Sequence, residues 1–160
     1  MPNFIKQASS LILPIIVLVL VPLSIEKNWT IAVDSLSIAG MIPIAGGLIL
    51  IVGTISTLTR IGKGTLAPWS PTSKLVVGGA YAYTRNPMIS SVLCILLGES
   101  LIVHSTAIFI WLALFFIINN IYFVFLEEPG LVKRFGSEYV EYKRNVPQWI
   151  PRLRPWIPPV

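Results

Sequence analysis

The sequence predicts an all-α integral membrane protein with about four transmembrane helices. Of its 160 residues, 54% are hydrophobic and only 12% are charged, and the mean hydropathy is +0.78. A soluble domain of this size is usually about a quarter charged, so an ordinary soluble globular protein is excluded. A single cysteine and a single histidine exclude a disulfide framework and metal sites built from several such ligands.

Three apolar stretches locate the membrane spans, because crossing the hydrocarbon core takes roughly 20 apolar helical residues. Two of them, 7–25 and 35–59, contain no charged residue, and the third, 86–126, contains only Glu99 and His104. The third stretch is long enough for two crossings, so we expect a helical hairpin there. Within a single domain covering 1–160, the predicted spans lie near 7–25, 38–59, 88–103 and 107–126.

The basic residues predict that both termini are cytoplasmic. With that orientation, every basic residue of the twelve except Lys27 lies on the cytoplasmic side, which agrees with the positive-inside rule. A loop over 60–87 and a tail over 127–160 then share the cytoplasmic face. The net charge of +5 reflects this bias toward anionic lipid and does not indicate a nucleic-acid partner. A cleavable signal peptide is the alternative for the first span, but no small-x-small cleavage site follows Ile25.

The tail carries apolar residues at helical spacing with charges between them. This pattern predicts an amphipathic helix lying at the membrane interface. The residues concerned are Leu131, Val132, Phe135, Tyr139 and Tyr142.

Two acidic residues, Glu127 and Glu128, follow the fourth span. One interpretation is a helix end that reaches water, although the helix dipole gives acidic residues no advantage at a C-terminus. If the helix instead continues, Asn120, Phe123 and Glu127 share one face, together with Val124. The Asn120 side-chain amide inside the membrane and the Glu127 carboxylate nearer the membrane surface would then form a polar pocket.

The third span opens with Arg85, Asn86 and Pro87. Proline suits the first helical turn and asparagine is a favourable N-cap, so these residues predict a helix start. Free amides at such a start can also bind an anionic ligand group, with Arg85 beside them. Farther along, Glu99 is either a functional intramembrane charge or an interfacial residue for which His104 is one candidate partner, and interfacial placement is favoured.

A set of short motifs follows in a fixed order along the second half of the chain. The motifs are Leu75-Val76, Gly79-Ala80-Tyr81, Arg85-Asn86-Pro87-Met88, Glu127-Glu128, Phe135-Gly136, Tyr139, Tyr142, Val146-Pro147 and Ile150-Pro151, preceded by Gly62-Lys63-Gly64-Thr65 and Ala67-Pro68. With a transmembrane hairpin between them, they resemble the isoprenylcysteine carboxyl methyltransferase and phospholipid methyltransferase family of integral membrane enzymes. The chain contains no strand–GxGxxG–helix pattern, so a Rossmann cofactor site is not expected.

The resemblance implies S-adenosylmethionine as cofactor, bound at the cytoplasmic membrane face. Arg85 and Glu127 are the catalytic candidates that it implies. Glu127 would hydrogen-bond the cofactor, Tyr81 would pack against it, and Arg85 would fix the loop or orient an anionic substrate group. The implied cofactor-binding residues are Leu75, Val76, Tyr81, Asn86, Pro87, Met88, Glu127 and Glu128.

The expected function is therefore S-adenosylmethionine-dependent methylation of a membrane lipid or lipid-like acceptor in the plasma membrane of a prokaryote, without a metal. The sequence departs from the family pattern at Asn86 in place of His and at Ile89 in place of Tyr. Phe123 stands where enzymes acting on prenylcysteine tend to carry Arg. Isoprenylcysteine-type carboxyl O-methylation is thus an alternative, and a non-catalytic membrane module of the same fold is another. A transporter fits poorly, because the spans show no repeat.

Overall fold

A computed structural model describes residues 12–31, 33–62 and 74–158, and within these ranges the chain is helical and forms no β-strand. The elements are α1 (Ile12–Ile25), α2 (Ser35–Thr57, followed by a π-helical turn Leu58–Gly62), a 3₁₀ turn (Gly79–Ala82), α3 (Pro87–Ile102), α4 (Thr106–Phe135) and α5 (Ser137–Asn145). The helices α2 and α4 are long and apolar enough to cross a membrane, whereas α1 and α3 are shorter apolar helices. The predicted all-α class is confirmed for the described residues.

The starts of the helices follow local side-chain chemistry. Asp34 accepts a hydrogen bond from the Ser37 amide at 2.8 Å to cap α2, and Ser105 caps α4 in the same way. The helix α3 starts at Pro87, as predicted. The Asn86 side chain does not accept the capping hydrogen bond that is expected of an N-cap, and Asn86 lines the cavity described below.

Close packing of α2 on α3 is the most extensive helix–helix contact in the described part of the chain, and glycines make it possible. A Cβ atom on Gly98 would lie 2.5 Å from the Gly40 carbonyl oxygen. One on Gly47 would lie 2.7 Å from the Ser91 carbonyl oxygen. Glycine at these positions therefore lets the two backbones approach each other, as is common between membrane helices.

Gly98→Ala is therefore expected to destabilise the protein by about 1–3 kcal/mol, since the new methyl group meets backbone that has little room to move. The melting temperature of the purified protein in detergent measures this effect. Gly46→Ala on α2 is the matched control, because apart from the nearby backbone of α2 itself no described atom lies within 4 Å of its Cβ position. Equal melting temperatures for Gly98→Ala and the wild-type protein would contradict the close packing.

The helix α4 continues beyond the predicted span 107–126 to Phe135, so of the two interpretations of Glu127 and Glu128 the continuing helix is the one observed. Pro129 lacks an amide hydrogen, and its ring would clash with the carbonyl four residues earlier in a regular α-helix. The π-helical turn Phe123–Glu127 lies just before this proline and accommodates it by widening the helix. The helix stops at Gly136, whose φ of +57° favours glycine.

The apolar face of α5 packs inside the protein. Tyr139, Tyr142 and Val146 are almost fully buried, and they pack against Leu75 and Val77 of the segment before the 3₁₀ turn. The prediction that this face lies at the membrane interface is therefore wrong. It failed because an amphipathic pattern shows only that one face is covered, and here protein covers it.

Residues 146–158, which follow α5, have no regular secondary structure and run back along residues 82–85. The Arg85 amide donates to the Pro147 carbonyl at 2.9 Å. The amides of Arg152 and Trp156 donate to the carbonyls of Tyr83 and Ala82 at 3.0 and 2.9 Å. The C-terminal segment thus holds the stretch that leads into α3.

At the opposite end of the bundle, the turn between α3 and α4 is bound to the start of α2. His104 has a φ of +54°, and its Nε2 lies 3.1 Å from an Asp34 carboxylate oxygen. The candidate pairing of Glu99 with His104 is not formed, since Asp34 takes that position; the interfacial placement of Glu99 stays a prediction. The Glu99 Oε2 atom is buried and has no hydrogen-bond partner among the described residues.

Candidate functional site

A cavity of about 810 Å³ lies between α1, α3 and α4 and is closed on one side by residues 75–86 and α5. Small-molecule sites commonly have volumes of about 300–1,000 Å³, so this cavity is large enough for a cofactor and part of a second ligand. Along α4 its wall extends from Trp111 to Glu127 and beyond. At 1.5 Å per residue these two residues are roughly 24 Å apart along the helix axis.

The end of the cavity around Trp111, which we call its deep end because it lies farthest from Glu127, is apolar. Leu13 and Val17 of α1, Val92 of α3 and Phe115 of α4 line it together with Trp111. The Trp111 indole donates a hydrogen bond at 3.1 Å to the carbonyl of Val17, which lies in the π-helical turn Ile16–Leu20 of α1. This bond joins α1 to α4 at the cavity-lining residue of α4 that is farthest from Glu127.

The other end of the cavity is polar. Tyr81 from the 3₁₀ turn, Asn86 before α3 and Glu127 from the π-helical turn of α4 all line it. Glu127 forms no salt bridge with any residue that the structure describes. Burial, and then the charge of Glu127, raise the pKa of Tyr81 above its ordinary value, so the Tyr81 hydroxyl is neutral at physiological pH.

Arg85 is held in a buried network. Its guanidinium pairs with Glu128 and donates to the Tyr139 hydroxyl at 3.2 Å, and the Arg85 and Glu128 side chains are only 8% and 7% exposed. Lys143 of α5 pairs with the other carboxylate oxygen of Glu128. The two adjacent glutamates therefore differ, because Glu127 faces the cavity whereas Glu128 binds the loop and α5 to α4.

Two buried polar atoms beside the start of α3 have no hydrogen-bond partner among the described residues. They are the Nε atom of Arg85 and the Nδ2 atom of Asn86, and both residues line the cavity. An unsatisfied buried donor is costly, by about 1–3 kcal/mol. Both donors lie beside the N-terminus of α3, whose backbone amides also favour an anionic group.

Tyr142 holds the backbone of Tyr81 in place. Its hydroxyl donates to the Tyr81 carbonyl at 2.7 Å.

Burial raises the pKa of Tyr142, and it also raises the pKa of Tyr139. Because ionisation of these phenols is disfavoured only in the folded state, the fold loses stability as the pH rises above about 10, the ordinary pKa of tyrosine.

The structure brings most of the sequence-predicted site residues to one cavity. Pro87 and Glu128 are not on its wall: Pro87 is buried at the start of α3, and Glu128 belongs to the Arg85 network. The motif residues 63–65 and 67–68 lie outside the described residues. Those on the wall are Leu75, Val76, Tyr81, Arg85, Asn86, Met88 and Glu127.

The predicted face of α4 lines the cavity only in part: Phe123 and Glu127 are on the wall, but Asn120 and Val124 are not, and the face is shifted toward Asn119. Asn119 and Tyr122 line the cavity with Glu127, whereas Asn120 accepts hydrogen bonds from Gln148 and Trp149 of the C-terminal segment. The predicted face assumed 3.6 residues per turn, but the π-helical turn inserts extra length between Asn119 and Glu127. The proline two residues after Glu127 was the signal for this shift.

Comparison with known proteins identifies the family. A model of the phospholipid methyltransferase family matches residues 36–138, which is more than half of the chain. The match includes α2, α3, the stretch from Leu75 to Met88 and both glutamates, and it ends before Tyr139. No curated protein and no solved structure shows significant similarity to the chain. The chain therefore belongs to the phospholipid methyltransferase family of membrane methyltransferases.

Proposed function

We propose that the protein transfers a methyl group from S-adenosylmethionine to a lipid or lipid-like acceptor at the cytoplasmic membrane face. The observation that carries this proposal is a single cavity with a polar end at Tyr81 and Glu127 and an apolar deep end at Trp111. Family membership supports the methyl transfer itself. The cavity adds a place where a polar cofactor and an apolar chain would meet.

The proposal includes a topology in which α1 to α4 each cross the membrane and both termini are cytoplasmic. Exposed aliphatic residues along α2 support its contact with lipid, among them Ile38, Met41, Ile42, Ile49 and Val52. The positive-inside rule supports the orientation, since the loop before α3 and the tail after α4 carry most of the basic residues. The polar end of the cavity would then face the cytoplasm.

The polar end fits the charged parts of S-adenosylmethionine. The unpartnered Nε of Arg85 and Nδ2 of Asn86 are suited to a carboxylate. Glu127 is suited to a hydroxyl group or a positive charge, and the ring of Tyr81 offers an aromatic face to a cation. Bound there, the cofactor would supply an electrophilic methyl group.

The residues around the cavity contribute mainly positioning, which is the principal demand of an in-line displacement. The Arg85–Glu128 pair fixes the start of α3 relative to α4, and so sets Asn86 relative to Glu127. An amine acceptor must lose a proton before it attacks. Glu127 is the carboxylate on the described cavity wall and is placed to accept that proton or to hydrogen-bond the cofactor.

The deep end favours an acceptor with a hydrocarbon chain. Its wall is formed by aliphatic and aromatic side chains between helices that we place in the membrane, so a chain could enter laterally from the bilayer. Phe123 also lines the cavity, and the Arg85 guanidinium lies 5.9 Å from the centroid of its ring. Arg134 is exposed at the polar end, where it could meet the phosphate of a phospholipid.

Lipid analysis tests the proposal. Cells that overexpress the wild-type protein are labelled with methyl-labelled methionine, and their extracted lipids are compared with those of cells that express Glu127→Gln. We expect a methylated lipid with the wild-type protein and much less of it with Glu127→Gln. Label that appears in prenylated protein would favour carboxyl O-methylation, and equal labelling in both samples would contradict the proposed activity.

A further inference from the structure

We propose that residues 150–157 form a membrane anchor that inserts its aliphatic side chains into an anionic lipid leaflet. Ile150, Leu153 and Ile157 are 81%, 100% and 78% exposed, although they lie outside the apolar helices. Exposed aliphatic side chains that recur every three or four residues lose contact with water when they enter the boundary between headgroups and acyl chains. The apolar face of α5 is buried and cannot make this contact.

The positive charge of the segment favours anionic lipid as its partner. From Tyr142 to the end, the sequence has four basic residues and no acidic residue. Arg152 and Arg154 flank Leu153 directly. A basic segment with interleaved aliphatic residues is complementary to anionic headgroups above an apolar layer.

The contacts of Trp149 place the start of this segment beside the apolar part of α4. The Trp149 ring packs on Phe116, with ring centroids 5.0 Å apart. Its indole nitrogen donates to the Asn120 side chain at 3.0 Å. Both partners belong to the region of α4 that is apolar enough to cross a membrane, so Ile150 starts at the level of the bilayer.

The backbone of the segment suits an interfacial position and connects it to the cavity. Pro151 and Pro155 have no amide hydrogen that would need a partner there. The amides of Arg152 and Trp156 donate to the carbonyls of Tyr83 and Ala82, next to Tyr81. Anchoring would therefore hold the wall of the cavity against the membrane surface.

The test measures the depth of the segment in a bilayer. Cys94 is the single cysteine of the chain, so Leu153→Cys in a Cys94→Ser background carries one spin label. The full-length protein is placed in nanodiscs of phosphatidylcholine, with or without phosphatidylglycerol. Accessibility of the label to oxygen and to a water-soluble nickel complex is then compared. Glu141→Cys, on the exposed face of α5, is the control position.

We expect the Leu153 label to enter the lipid when phosphatidylglycerol is present, with a several-fold higher ratio of oxygen to nickel accessibility than at Glu141. Arg152→Gln together with Arg154→Gln, or high salt, should lower this ratio. Water exposure in both lipids would overturn the proposal, as would equal depth with and without phosphatidylglycerol. Spin–spin broadening between labels would show a second copy of the chain on this surface and would also overturn it.

Discussion

Glu127→Gln is expected to weaken S-adenosylmethionine binding by roughly ten- to a hundredfold while the protein stays folded. The substitution keeps the size of the side chain and removes one charge-assisted hydrogen bond, which contributes about 1.5–3 kcal/mol. Glu127 faces the cavity and forms no salt bridge with the described residues, so its charge is not needed to hold the helices together. Isothermal titration in nanodiscs measures the affinity.

The control for this experiment is Glu138→Gln, which removes an exposed carboxylate of α5 and should leave affinity unchanged. Tyr81→Phe keeps the aromatic ring and should lower affinity less than Tyr81→Ala, because the proposed role of Tyr81 is packing. If Glu127→Gln has the melting temperature of the wild-type protein and also binds S-adenosylmethionine normally, the assignment of Glu127 is wrong.

Substitution of the adjacent residue, Glu128, should lower the stability of the fold, which substitution of Glu127 should not. Glu128→Gln is expected to destabilise the protein by about 3–5 kcal/mol, because it leaves the buried Arg85 guanidinium without its charged partner. The melting temperature should fall strongly even without any ligand. The same substitution at Glu127 should leave the melting temperature almost unchanged. The two adjacent glutamates would then have different roles, with Glu127 contacting the ligand and Glu128 forming a structural ion pair.

A double-mutant cycle isolates the Arg85–Glu128 pair. Arg85→Gln and Glu128→Gln should each be strongly destabilising, and the double variant should be much less destabilised than the sum of the two. Glu141→Gln, on the exposed surface of α5, serves as the control and should change stability by no more than about 0.5 kcal/mol. Additive effects at Arg85 and Glu128 would show that the pair does not couple the loop to α4.

The sequence predicted the main features of the helical architecture because long apolar runs and helix-start residues are local signals. The three apolar stretches located the apolar helices, and Pro87 predicted the start of α3. The motif resemblance predicted that Tyr81 and Glu127 would meet at one cavity, and both line its polar end. Their roles in cofactor binding remain predictions.

The features that the sequence did not predict depend on contacts between distant segments or on a local change of helical period. The π-helical turn before Pro129 rotates the face of α4, so that Asn119 lines the cavity and Asn120 does not. The partner of the α5 face could not be predicted from periodicity, since lipid and protein both cover an apolar stripe. Finally, Glu128 lies next to Glu127 in a shared motif, and only the position of Arg85 shows that the Glu128 carboxylate forms a buried ion pair.

A crystal structure with S-adenosylhomocysteine tests the central claim most directly. The account predicts ligand density in the cavity between Tyr81 and Glu127, with the carboxylate of the ligand at the start of α3 near Asn86. Density on another surface would contradict it, as would an empty cavity in crystals of protein that binds the ligand in solution.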